Sequence, residues 1–151
     1  MLMKLMLKAA VLAATLSFAS ATPALADDPW PNEEGDYVQI GMIAVEDGHD
    51  LEYMTHMAGQ WRKGQDFAVA QGWITSYEIL VNVNKRPGEP DYYTVTRFPR
   101  FADKAESKKR ADAYDAYMKQ TVADAQAGSA ARAKYRTVMG SQMLQALVWK
   151  K

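Results

Sequence analysis

The run from Tyr37 to Val45 constrains this chain more than any other segment. Val38, Ile40, Met42 and Ala44 alternate with Tyr37, Gln39, Gly41, Ile43 and Val45, and both sets are mainly apolar. A strand of that kind needs cover on both faces. The last apolar run repeats the pattern, with Met143, Leu147 and Trp149 on one side and Leu144, Ala146 and Val148 on the other. The chain has no cysteine. Disulfides, thiol catalysis and cysteine-ligated metal are therefore excluded, and burial alone must hold the fold together.

The first 26 of the 151 residues do not read as part of the domain. Lys4 and Lys8 form a basic start, Ala9 to Ala21 is an apolar run, and Ala24-Leu25-Ala26 is a small-residue cleavage site. This is the pattern of a secretory signal peptide, so a periplasmic or secreted protein is expected. No later apolar run is long enough to span a bilayer, so no membrane contact is expected once the leader is gone. The leader holds two of the 18 basic residues and none of the 18 acidic ones, which leaves the mature chain at a net charge of −2. A nucleic-acid domain normally shows a basic excess, so no nucleic-acid partner is expected.

Residues 27–35, DDPWPNEEG, read as a flexible lead-in, and 36–151 as a single domain. After the strand at Tyr37–Val45, Asp50 is a suitable N-cap for a helix to about Gln71. At 100° per residue, Leu51, Met54, Met57, Ala58, Trp61 and Ala68 form its buried stripe. Trp73–Val83 and Tyr92–Phe98 are strands joined by the turn-forming NKRPGEP, hence a hairpin with a long loop. A second helix is expected from Phe101 to about Ala125, broken by Gly128-Ser129, with Ser129 capping a short helix to about Val138. Met143–Trp149 is the last strand.

The order β-α-β-β-α-β predicts an α+β fold, ferredoxin-like, with a four-stranded antiparallel sheet and its helices on one face. The open second face then calls for a second copy, giving a homodimer.

That order, the length and the two-faced strands resemble the dimeric α+β barrel superfamily. Further points of similarity, to secreted members, are Trp61, Gly72-Trp73, Asp91 to Val95 (DYYTV) and Arg136 to Met143 (RTVMGSQM). The resemblance covers about 36–149 and implies two ferredoxin-like sheets closed face to face, each protomer keeping a cleft between helices and sheet. The family's chemistry is varied, from cyclases and cofactor-free monooxygenases to plain binders, so the resemblance implies a fold and not a reaction. Its cyclases place a histidine base on a strand, and its haem enzymes a histidine on a C-terminal helix. This chain has a histidine at neither place.

His49 and His56 are the only histidines. Their seven-residue spacing is not one helical turn, and the acids flanking His49 suit a solvated turn, so neither a metal nor another cofactor is expected. His56 falls off the buried stripe and reads as a surface or rim residue. Polar groups on the hairpin remain. Tyr77 and Arg97 together can hold an enolate, phenolate or carboxylate, with His49 as a second proton carrier. The competing reading pairs Arg97 with Glu78 across the strands, without function. A one-residue slip of register decides between them. Met57, Trp61, Trp73, Tyr93 and Tyr114 are the candidate substrate-binding residues, a lining suited to a flat apolar ligand and equally to ordinary core.

Two functions stay open. One is an exported, cofactor-independent enzyme of lyase, cyclase or isomerase type, acting on a small apolar or aromatic compound by proton transfer. The other is a non-catalytic periplasmic dimer that binds a small molecule or a partner protein. Two polar groups converging in one apolar pocket favour the first, and a Glu78–Arg97 pair favours the second.

Overall fold

The computed structural model describes residues 28–151. The expected leader at 1–26 lies outside the described residues. Four antiparallel strands form one sheet in the order β2-β3-β1-β4, with β1 at Asn32–Val45, β2 at Ser76–Val81, β3 at Tyr92–Phe98 and β4 at Arg136–Trp149. Helical segments α1 (Asp50–His56) and α2 (Arg62–Ala70) join β1 to β2 through a π-helical turn at Met57–Trp61, and α3 (Lys104–Met118) and α4 (Val122–Arg132) join β3 to β4. Among the described residues no helix is long and apolar enough to cross a membrane.

Register assigns the faces. Tyr37, Gln39, Gly41 and Ile43 of β1 stand opposite Phe98, Thr96, Thr94 and Tyr92 of β3. These residues share a face with Tyr77 and Ile79 of β2. The helices pack here. Tyr53 and Met57 are buried with Ile43 and Tyr135, flanked by Val45, Trp61, Ile79 and Tyr92. The Tyr92 hydroxyl donates to Asp50 at 2.8 Å, and its pKa is pushed up to about 12, first by burial and then by that carboxylate. Gly41 allows close strand approach, because a Cβ there would stand 2.6 Å from the Thr94 hydroxyl.

The opposite face carries Val38, Ile40 and Met42, then Arg97, Val95 and Tyr93, then Ser76, Glu78 and Leu80, and Leu144 on β4. On this face Val38 and Val95 are buried, at 7% and 3% exposed. Leu80 and Leu144 at the margins are exposed.

Several boundaries differ from the sequence reading: β2 covers only Ser76–Val81 of the expected Trp73–Val83, and α3 starts at Lys104 where Phe101 was expected. Strand β1 begins at Asn32, pairing with Trp149, so the second half of the expected lead-in is sheet. Strand β4 begins at Arg136, where a turn and short helix were expected, and a bulge between the Met42 and Ile43 pairings absorbs its extra residue. The second helix breaks at Lys119, and Gly128-Ser129 lie inside α4. The physical reason is a capping box. The Thr121 hydroxyl accepts from the Asp124 amide while the Asp124 carboxylate accepts from the Thr121 amide, which starts a new helix at Val122.

Candidate functional site

The π-helical turn sets which side chains of the first helix turn inward. A regular 100° step puts Leu51 on the buried stripe and leaves Tyr53 off it. In the structure Leu51 is 80% exposed and Tyr53 1%. The buried line runs Tyr53, Met57 and Gly64, with Trp61 half-buried between them. One wider turn at 57–61 carries the contact line from the sheet around to the neighbouring helix.

Helices α2 and α3 then meet through aromatic rings. Phe67 stacks on Tyr117 with centroids 4.2 Å apart and meets Trp73 edge-on at 5.3 Å. Tyr114 lies against Gly64, where a Cβ would come within 2.9 Å of the ring. Trp61 meets Tyr77 edge-on at 5.2 Å.

A cleft of about 580 Å³ opens between the first helix and the α3–α4 pair. Trp61, Tyr114 and Met118 give it an apolar wall. His56, Gln60 and Arg132 give it a polar one, and Lys119 and Gln120 at the helix break line one end. Lys119 holds a left-handed backbone conformation, φ 54° and ψ 45°, a sparsely populated region for a residue with a Cβ. A volume in this range suits a small organic ligand.

Electrostatics single out His56. Burial, then the nearby guanidiniums of Arg132 and Arg136, bring its pKa down to about 4, so the imidazole is neutral at pH 7. Burial also lowers the pKa of Arg132, and its Nε is buried without a hydrogen-bond partner.

The expected site residues scatter. Tyr77 stands opposite Thr96 on the helix-bearing face, where its hydroxyl donates to Asp66, an acceptor that raises its pKa. Arg97 stands opposite Val38 and Ser76 on the other face and pairs with Glu78 at 3.8 Å. The structure does not bring Tyr77 and Arg97 together, and the register is the one that forms the cross-strand ion pair. His49 stacks on Tyr135 with centroids 5.4 Å apart, and its Nδ1 lies 3.0 Å from a Glu52 oxygen. It lies away from both Tyr77 and the cleft lining.

Trp61 and Tyr114 line the cleft. Met57 is core, although with Trp61 and Tyr77 it also lines a hollow of about 340 Å³ on the β2 side of the first helix. Trp73 is held by Phe67 and by the Arg110 guanidinium, 5.6 Å from its ring. Tyr93 lies on the far face opposite Met42 and Leu80.

Sequence reading missed His56, Gln60 and Arg132. One signal was available: the T-x-x-D pattern at Thr121–Asp124 restarts the helix and thereby places Arg132 at the end of α4. No protein-family model matches the chain, and no curated protein matches it.

Proposed function

We propose that this is an exported domain that binds a small, flat, mostly apolar compound in the cleft between the first helix and the α3–α4 pair. The observation that carries the reading is a cleft of about 580 Å³ with an aromatic and methionine wall on one side and His56, Gln60 and Arg132 on the other. An apolar wall supplies affinity and a few polar groups fix orientation. The Glu78–Arg97 pair supports binding over the chemistry expected of the hairpin, because it engages the arginine which that chemistry needs. The test is a thermal-shift screen of the protein against small aromatic compounds, followed by chemical-shift mapping of the hits. Hits should perturb Trp61, Tyr114 and Met118. Hits that perturb only the far sheet face would overturn the reading.

One observation favours a second, catalytic reading. His56 presents a neutral imidazole to the cleft, as proton-transfer chemistry of lyase, cyclase or isomerase type would need. Mass spectrometry of the hits for turnover decides it, with His56→Gln as the control that should abolish any conversion.

The leader at 1–26 supports export to the periplasm or beyond. The strand order supports a ferredoxin-like sheet paired with a second copy as in the α+β barrel dimers. So do Leu80 and Leu144, apolar and exposed on the face away from the helices.

A further inference from the structure

We propose that the cleft takes the planar carboxylate of its ligand on Arg132, and that the arrival of this anion turns His56 into a proton acceptor. The inference rests on the reading of the cleft as the ligand site and narrows it to aromatic acids.

Arg132 carries the first half. The described residues include seven arginines, and five of them form ion pairs with carboxylates. The two without such a partner, Arg132 and Arg136, are the two beside His56. Arg132 has its Nε buried with no acceptor, while the residue lines the cleft. A desolvated charged donor without an acceptor is costly, and a guanidinium edge matches a carboxylate with two parallel hydrogen bonds. Trp61, Tyr114 and Met118 offer the apolar surface that the ring of an aromatic acid would cover.

The second half follows from the charges around His56. From its own helix, Glu52 faces the same groove but is engaged by His49. From α4 come Arg132 and Asp124, the latter held in the capping box. Lys119 comes from the end of α3, and Tyr135 and Arg136 from the start of β4. The uncommitted charges are therefore cationic, and they repel a proton from the ring. A carboxylate on Arg132 offsets that charge. The proton affinity of His56 then rises toward its ordinary value, and a proton is taken up from solvent. By linkage, the carboxylate binds more tightly as pH falls from about 6.5, the ordinary histidine value, toward about 4, where aromatic acids themselves become neutral.

The test uses 2-naphthoate and its neutral counterpart 2-naphthalenemethanol, titrated into isotope-labelled protein and followed by NMR. Naphthoate should bind about tenfold more tightly than the alcohol. Arg132→Met should remove that advantage, and Arg132→Lys should restore part of it. The His56 titration midpoint should rise from about 4 with naphthoate and stay put with the alcohol. Equal binding of the two compounds in the cleft overturns the inference while leaving the cleft reading intact. Tight naphthoate binding with an unmoved His56 midpoint also overturns it. If neither compound perturbs Trp61 or Met118, the cleft reading falls and takes the inference with it. Should Arg132→Met fail to fold, the two compounds on the unmodified protein and Arg132→Lys still decide the matter.

Discussion

A single methyl group at Gly64 would push against the Tyr114 ring on the neighbouring helix. Alanine gains up to about 1 kcal/mol in helix propensity there, but overpacking a close contact costs about 1–3 kcal/mol. Gly64→Ala should therefore lower stability in urea titration. Tyr114→Phe, which removes the nearest atom, should recover part of the loss. His56 makes a pH prediction. Its folded pKa of about 4 lies below the ordinary 6.5, so below about pH 6.5 the unfolded chain binds a proton that the folded one refuses. Stability should fall as pH drops from about 6.5 to about 4 and this contribution should then level off. His56→Gln should flatten that part of the curve measured by thermal unfolding. Arg97→Met should change stability by less than about 1 kcal/mol, since its pair with Glu78 is half exposed on both sides, and it should leave ligand binding in the cleft unchanged. The sequence named Tyr77, Arg97 and Glu78 but left their partners open, because only the register, with Ser76 opposite Arg97, decides faces. His56 stayed hidden for a related reason: its character comes from Arg132 and Arg136, some eighty positions further along the chain.

Elements were easier to read where a local signal outweighed its competitors. The apolar alternation of Tyr37–Val45 and the proline-rich turn before Tyr92 both marked what the structure contains. The α3–α4 break was misplaced because Gly128-Ser129 looks like a stop, whereas a glycine inside a helix costs only about 1 kcal/mol and the Thr121–Asp124 box favours a start. Thr121→Ala should consequently lower stability by about 1 kcal/mol, read as a lower midpoint in chemical denaturation. It should also shift signals of Lys119 and Gln120, which sit at the end of the cleft. The turn at 57–61 left no trace in the periodicity, since a helix wheel assumes a constant step. That is why Leu51 was assigned to the stripe and Tyr53 was not.

Across the whole molecule, exposed apolar side chains gather on β4, where Val138, Met143, Leu144, Leu147 and Trp149 all reach solvent. Leu80 and Leu144 do so on the face away from the helices. If a second copy covers that face, sedimentation at micromolar concentration should show a dimer, and Leu144→Lys should shift it to monomer with the fold retained. A stable monomer before mutation would remove the barrel reading. The apolar character of both faces of β1 and β4 was legible in their alternating sets. The extent of β4 was not, because Thr137, Gly140 and Ser141 interrupt its apolar pattern and pairing with β1 carries it through.

The π-helical turn ties the cleft to the geometry of one helical turn. Its i→i+5 hydrogen bonding accommodates one residue more than a regular turn holds, so closing Met57–Trp61 into ordinary α geometry with every residue kept would add one residue's step to the helix. Everything after the turn would then be rotated by about 100° about the helix axis. Gly64 would no longer face Tyr114, Phe67 would leave Tyr117, and the Trp61 wall would turn away from the opening. A substitution that makes the helix more regular would thus dismantle the cleft, whereas losing one residue of the turn together with its bulge would leave the faces that follow where they are.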